Sequence, residues 1–154
     1  MKKKSKIINE ITVRFPAISI NEGMARATVA AFCAQLNPTI DEIADVKCAV
    51  SEAVTNCIVH AYRDSVGEIY IKVALFSDRK IKVEIKDKGC GIADLEEAQK
   101  PLFTTDKSGE RSGMGFTVMQ SFSDSFKVKS KVGTGTTVTF WKKLSGREYL
   151  RYGI

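Results

Sequence analysis

The segment SEAVTNCIVHAY, residues 51–62, has the composition of a helix that is covered on more than one side. Apolar side chains recur at the spacing of one helical face, at Val50, Val54 and Ile58. Glu52 and Asn56, four residues apart, share another face. A solvated face normally carries several charged side chains, but Glu52 is the only formal charge in this segment. The pattern therefore predicts a helix whose polar face is also covered, either by another part of the protein or by a ligand.

Two capping-box patterns predict where helices begin. Ser19 with Glu22 precedes a first amphipathic helix, and Thr39 with Glu42 precedes the helix that contains residues 51–62. The first helix is expected to end at Asn37-Pro38, because a helix seldom continues into a proline. The two helices follow each other closely and are expected to pack on one side of the domain.

Alternating apolar and polar side chains predict five strands, at residues 7–15, 68–76, 80–86, 125–130 and 136–142. The short polar link at residues 77–79 is typical of a hairpin. A long glycine-rich segment follows, residues 87–115, with one helical turn near residues 95–99 and a short helix at 115–122. Helices on one face of a mixed sheet of about five strands predict an α/β two-layer sandwich.

Length and composition indicate a single soluble domain over residues 1–154, with a short basic N-terminal extension and a C-terminal tail. The 44% hydrophobic and 27% charged residues exclude a largely disordered chain. No run approaches the roughly 20 apolar residues of a membrane span, so we expect a cytoplasmic protein without membrane contact.

Cysteine and charge usage point to no metal cluster or nucleic-acid site. The four cysteines form no C-x-x-C pair and His60 is the one histidine, so reduced structural thiols are expected. The net charge of +6 is carried largely by lysines at alternating strand positions, which is typical of a solvated sheet face. We therefore expect no direct binding of nucleic acid.

Asp87 continues the inward register of Ile81, Val83 and Ile85, which directs a carboxylate toward the helix layer. An isolated charge there is unfavourable unless donors satisfy it, so this position suits a group that recognises a ligand. Gly89 follows in a D-x-G-x-G pattern, whose glycines permit close backbone approach. The alternative is an ordinary turn after a strand.

A second glycine pattern leads directly into the short helix. Backbone N–H groups at a helix start suit phosphate oxygens, and an arginine beside them adds a positive charge. The residues of this candidate phosphate site are Arg111, Ser112, Gly113, Met114, Gly115 and Phe116. Asn56 offers a neutral oxygen ligand for Mg²⁺, and Glu52 offers a carboxylate that could deprotonate a hydroxyl.

Together and in this order, these patterns resemble the GHKL superfamily of ATPases and kinases, in which E-x-x-x-N is the N box and D-x-G-x-G and G-x-G are glycine boxes. The resemblance covers essentially the whole chain and implies a Bergerat-type ATP-binding fold. Two segments are similar in sequence to the anti-sigma-F factors of spore-forming bacteria, SEAVTNCIVHAY and PLFTTDKSGERSGMGFTVM. Stress-response anti-sigma kinases are the nearest alternative.

The resemblance implies roles for individual residues. Asp87 would read the adenine amino group, Asn56 would ligate Mg²⁺, and Glu52 would be the general base of a protein-serine kinase. The remaining implied nucleotide contacts are Gly89, Gly91, Thr104, Thr105, Thr136 and the phosphate-site residues 111–116. ATP and Mg²⁺ are the implied cofactors.

The implied partners are a sigma-F-type sigma factor, an anti-anti-sigma antagonist that is phosphorylated on serine, and a second copy in a homodimer. Glu22 and Arg26 on the first helix are candidates for the partner surface, because they lie outside the nucleotide boxes and arginine is favoured at interfaces. A binding module gated by nucleotide but without kinase activity is the other reading. A histidine autokinase is disfavoured because no histidine precedes the N box, and His60 is expected to serve packing.

Overall fold

The computed structural model describes residues 4–62, 65–98 and 115–146. The chain begins with strand β1 (Ile7–Pro16), helix α1 (Asn21–Cys33) and a 3-10 turn (Ala34–Leu36). Helix α2 (Ile40–Asn56) continues into a π-helical turn (Cys57–Ala61). The hairpin of β2 (Glu68–Phe76) and β3 (Lys80–Asp87), the short helices α3 (Leu95–Ala98) and α4 (Gly115–Ser121), and the hairpin of β4 (Ser125–Lys131) and β5 (Gly135–Lys143) complete the order.

The five strands form one sheet in the order β1-β2-β3-β5-β4. Each of the four neighbouring pairs is antiparallel, so the expectation of a mixed sheet is wrong. A single crossover helix returns the chain parallel to the strand it left. Here two helices, α1 and α2, separate β1 from β2, and the second helix adds one more reversal of direction. The predicted α/β two-layer arrangement of about five strands is confirmed.

The core lies between one face of the sheet and the helices. In β2 and β3, alternate side chains point inward and pair across the strands, for example Ile71 opposite Ile85 and Val73 opposite Val83. Helices α1 and α2 cover them with small and branched side chains, among them Ala25, Val29, Val46, Val50 and Val54. Burial of apolar surface at roughly 25 cal/mol per Å² is the main force that holds the two layers together.

The two predicted helix starts have different outcomes. Thr39 accepts a hydrogen bond from the Glu42 backbone and donates its own N–H to the Glu42 carboxylate, so this capping box is confirmed. The Ser19 box is wrong, because α1 begins at Asn21 without a side-chain cap. The Glu22 N–H donates to the Ser19 backbone carbonyl instead of the Ser19 hydroxyl, and the Glu22 carboxylate accepts the Ser51 hydroxyl of α2.

Candidate functional site

Asp87 ends β3 on the inner face of the sheet, as predicted, and is 5% exposed. Its Oδ1 accepts the backbone N–H groups of Gly89, at 2.9 Å, and Thr136, at 3.2 Å. Its Oδ2 accepts the thiol of Cys57 at 3.5 Å. Burial raises the pKa of the Asp87 carboxyl, and these hydrogen bonds partly oppose that effect. A buried carboxylate held in one orientation is suited to reading a ligand.

The loop after Asp87 docks on the π-helical turn of the N-box helix. The Cys90 N–H donates to the Ala61 carbonyl at 2.9 Å. A β-carbon at Gly89 would lie 2.3 Å from the same carbonyl oxygen, and one at Gly91, where φ is +74°, would lie 2.3 Å from the Lys131 carbonyl. These glycines are required because no side chain fits between the backbones.

The start of β5 closes the site from the other side. Gly135 adopts a φ of +131°, and a β-carbon there would lie 2.2 Å from the Asp87 carbonyl oxygen. Thr136 is buried, and its hydroxyl shares a 2.7 Å hydrogen bond with the Ser130 hydroxyl of β4. Ser130 also accepts the Ile92 N–H at 2.8 Å. The ends of three strands are thereby joined around Asp87.

Asn56 and Glu52 lie on α2, both half-buried and one helical turn apart. A β-carbon at Gly115, the first residue of α4, would lie 3.0 Å from Nδ2 and 3.1 Å from Oδ1 of Asn56. The N box and the second glycine box therefore meet at Asn56. Phe116 turns toward the sheet, where its ring packs edge-on against Phe126 at a centroid distance of 6.0 Å.

Several predicted site residues lie outside the described part of the chain. They are Thr104, Thr105, Arg111, Ser112, Gly113 and Met114. Their assigned contacts with nucleotide remain predictions.

Glu22 and Arg26 form a small polar cluster with Ser51 at the junction of α1 and α2. Arg26 pairs with the Glu22 carboxylate at 3.6 Å, and its Nη1 lies 3.5 Å from the Ser51 hydroxyl, which in turn donates to Glu22. Ser51 is the neighbour of Glu52 in the sequence. Through Ser51, the candidate partner residues Glu22 and Arg26 thus contact the helix that carries the candidate base, Glu52.

Sequence reasoning missed three residues that shape the site. Cys57 was expected only to pack, but its thiol contacts Asp87. Ser130 could have been found, because it continues the inward alternation of Phe126 and Val128 in β4. The Tyr62 hydroxyl donates to the Glu68 carbonyl and accepts the Lys88 N–H, both at 2.7 Å, and so closes the loop edge.

His60 supplies its backbone carbonyl to the site's outer wall, where it accepts the Cys90 thiol at 3.3 Å. This contact involves no imidazole chemistry.

The residues present fit a purine nucleotide. Asp87 offers a buried acceptor, and Gly89, Gly91 and Gly135 let the neighbouring backbones pack closely enough to hold the surrounding loops in place. For a metal, Asn56 is the available amide ligand, and the described residues contain no group of three His, Cys, Asp or Glu side chains that could hold an ion by themselves. An ion here would depend on phosphate oxygens for its other ligands.

Within residues 4–62, 65–98 and 115–146, no helix is long and apolar enough to cross a membrane.

Comparisons with known proteins identify the family of this chain. The family model of the histidine kinase-like ATPase domain matches residues 15–142. The chain is 55% identical over 134 residues to the anti-sigma F factor of Caldanaerobacter subterraneus, covering 87% of this chain and 93% of that protein. It is 51% identical over 138 residues to the anti-sigma F factor of Bacillus subtilis, covering 89% and 94%.

Solved structures show the same fold at low identity. The RsbU and RsbW domains of a Mycobacterium tuberculosis protein superpose with a TM-score of 0.67 at 20% identity, covering 90% of this chain and 33% of that one. The histidine kinase domain of a blue-light activated kinase from Erythrobacter litoralis gives 0.56 at 18% identity, covering 80% and 61%. The chain therefore belongs to the anti-sigma F factor family and carries a histidine kinase-like ATPase domain.

Proposed function

We propose that this chain is an ATP- and Mg²⁺-dependent protein-serine kinase that also sequesters a sigma-F-type sporulation sigma factor in the cytoplasm. The observation that supports it most is the convergence of four sequence-distant elements, β3, β5, α2 and α4. Asp87 is held by the start of β5, and Asn56 of α2 meets Gly115 of α4. The relatives at 51–55% identity are named for action on sigma F, which favours this class of sigma factor over a stress-response one.

The proposed chemistry is phosphoryl transfer to a serine hydroxyl. Bound ATP would supply the γ-phosphoryl group and Mg²⁺ would neutralise its charge, with Asn56 as the protein ligand. We assign to Asp87 the recognition of adenine, whose amino group would donate a hydrogen bond to a carboxylate oxygen. We assign to Glu52 the role of general base. The serine oxygen would form a bond to the γ-phosphorus while the bond from that phosphorus to the ADP oxygen breaks, and Glu52 would take up the proton that the hydroxyl loses.

The substrate in this proposal is a serine of an anti-anti-sigma antagonist, and the kinase acts as a homodimer. The Glu22, Arg26 and Ser51 cluster supports a partner surface on α1, because it presents a half-exposed guanidinium beside the helix of the proposed base. Arginine at such a position can bind an acidic partner by paired hydrogen bonds.

One experiment tests the proposal and separates it from its alternatives. The purified chain is incubated with labelled ATP and candidate antagonists, and the labelled residue is mapped by mass spectrometry. A labelled serine on the antagonist is the expected result. ATP-dependent retention of a sigma factor without any label would identify a binding module instead. Preference for a stress-response sigma factor and its antagonist would move the protein to that class.

A further inference from the structure

The Asp87 carboxylate is asymmetric in its hydrogen bonds. Oδ1 accepts two backbone N–H groups, from Gly89 and Thr136, which are strong and geometrically fixed donors. In the part of the chain that the structure describes, Oδ2 accepts only the Cys57 thiol. A thiol is a weak donor, and a carboxylate oxygen has room for a second one. Oδ2 is therefore oriented without being saturated.

Cys57 stands where the α-helical N box meets a π-helical turn, and its own N–H still donates to the Ala53 carbonyl as in an α-helix. The turn spans Cys57–Ala61 and follows directly on the α-helical N box. Its carbonyls at His60 and Ala61 receive the Cys90 thiol and N–H of the glycine-box loop. The turn is thus fixed to the loop at its far end, while Cys57, 5% exposed, contacts Asp87 at its near end. Single π-helical turns are frequent at functional sites.

We propose that Cys57 is a positioning residue that sets the orientation of Asp87 Oδ2 and so tunes the preference for a purine with a 6-amino group. This inference rests on the proposed function, in which Asp87 reads that amino group. Without the thiol, the two backbone donors still hold Oδ1, but the carboxylate plane can rotate about that anchor. The acceptor would then be less well aligned with the amino group of the base.

Comparison of ATP with purine riboside triphosphate, which lacks the 6-amino group, isolates this effect. The dissociation constants of both nucleotides are measured for the unaltered chain, Cys57→Ala, Cys57→Ser and Cys48→Ala. Cys48 is an exposed cysteine on the same helix and serves as the matched control. In Cys57→Ala the preference for ATP is expected to fall roughly three- to tenfold, the effect of one ordinary hydrogen bond. Cys57→Ser, which keeps a donor, and Cys48→Ala should retain it.

Equal losses for both nucleotides in Cys57→Ala would overturn the proposal, since they indicate a purely structural role. An unchanged preference in Cys57→Ala would overturn it as well, and would leave the proposed function intact. If the unaltered chain does not prefer ATP, the assignment of Asp87 and this inference fail together.

A second measurement needs no alanine variant and applies if Cys57→Ala does not fold. The S–H stretching band of Cys57 is identified in the infrared spectrum by its loss in Cys57→Ser. It should shift when ATP binds and shift less when purine riboside triphosphate binds. Identical spectra with the two nucleotides would contradict the proposal.

Discussion

Gly115 lies directly against Asn56, so close that a β-carbon would come within 3.0 Å of the amide nitrogen. Gly115→Ala should therefore displace the Asn56 amide. Because this group is the end of a flexible side chain, stability should change by less than about 1 kcal/mol, but affinity for Mg²⁺-ATP should fall about tenfold or more. Calorimetric titration and thermal melting measure the two effects. ATP affinity equal to that of the unaltered chain would show that Asn56 has no role in nucleotide binding.

Glu52→Gln tests the proposed base. The substitution preserves size and removes the ability to take up a proton, so phosphate transfer should fall by a factor of about 10² to 10⁴. ATP binding should remain within about threefold, because Glu52 is assigned no contact with the nucleotide. Single-turnover labelling of the antagonist and ATP titration provide the two numbers. Normal transfer by this variant would contradict the assignment.

Asp87→Asn should separate stability from function. Burial raises the pKa of the Asp87 carboxyl above its ordinary value of 3.8, and the hydrogen bonds from Gly89, Thr136 and Cys57 only partly oppose this effect. The folded state therefore holds this proton to higher pH than the unfolded state, and the contribution of Asp87 to stability falls as pH rises from 3.8 through the raised pKa. Asparagine has no such dependence.

The stability of Asp87→Asn relative to that of the unaltered chain should thus rise with pH across that window and then stay constant. Urea unfolding at a series of pH values measures it. ATP affinity should fall in the same variant. An amide nitrogen in place of Oδ2 is a hydrogen-bond donor, and it would face the adenine amino group, which is also a donor. A stability difference that stays constant or falls as pH rises, together with normal ATP binding, would contradict both expectations.

Arg26→Ala tests the partner surface on α1. The guanidinium is 43% exposed and its ion pair with Glu22 is near the protein surface, so its loss should change stability by less than about 1 kcal/mol. Binding of the sigma factor should weaken at least about tenfold if Arg26 is an interface anchor. Surface plasmon resonance with ATP present gives the affinity. Arg14→Ala, on β1 with a comparable surface ion pair to Glu68, is the matched control and should bind normally.

The parts of the site that follow from simple periodicity could be predicted from the sequence. Alternation in β3 placed Asp87 on the inner face, and the four-residue spacing placed Glu52 and Asn56 together. The contact of Cys57 with Asp87 could not be predicted, because it depends on how closely the end of α2 packs against the end of β3 in the folded domain. The failed cap at Ser19 has a similar cause, since a tertiary partner, Ser51, competes for Glu22. Local patterns do not contain such competition.

Two glycine-to-alanine substitutions should act in opposite directions. At Gly89 the added β-carbon would lie 2.3 Å from the Ala61 carbonyl oxygen, and neither backbone can move without breaking the bond from the Cys90 N–H. Gly89→Ala should therefore destabilise the fold by about 1–3 kcal/mol and weaken ATP binding.

At Gly23, within α1, the nearest atom is Arg26 Nη2 at 3.9 Å. Gly23→Ala should stabilise by about 0.5–1 kcal/mol, since alanine loses less conformational freedom in a helix. In thermal melts, each kcal/mol should shift the midpoint by about 2–4 °C. An unchanged or raised midpoint in Gly89→Ala would show that the loop after β3 can move away from the N-box helix, and that close backbone packing does not hold the site together.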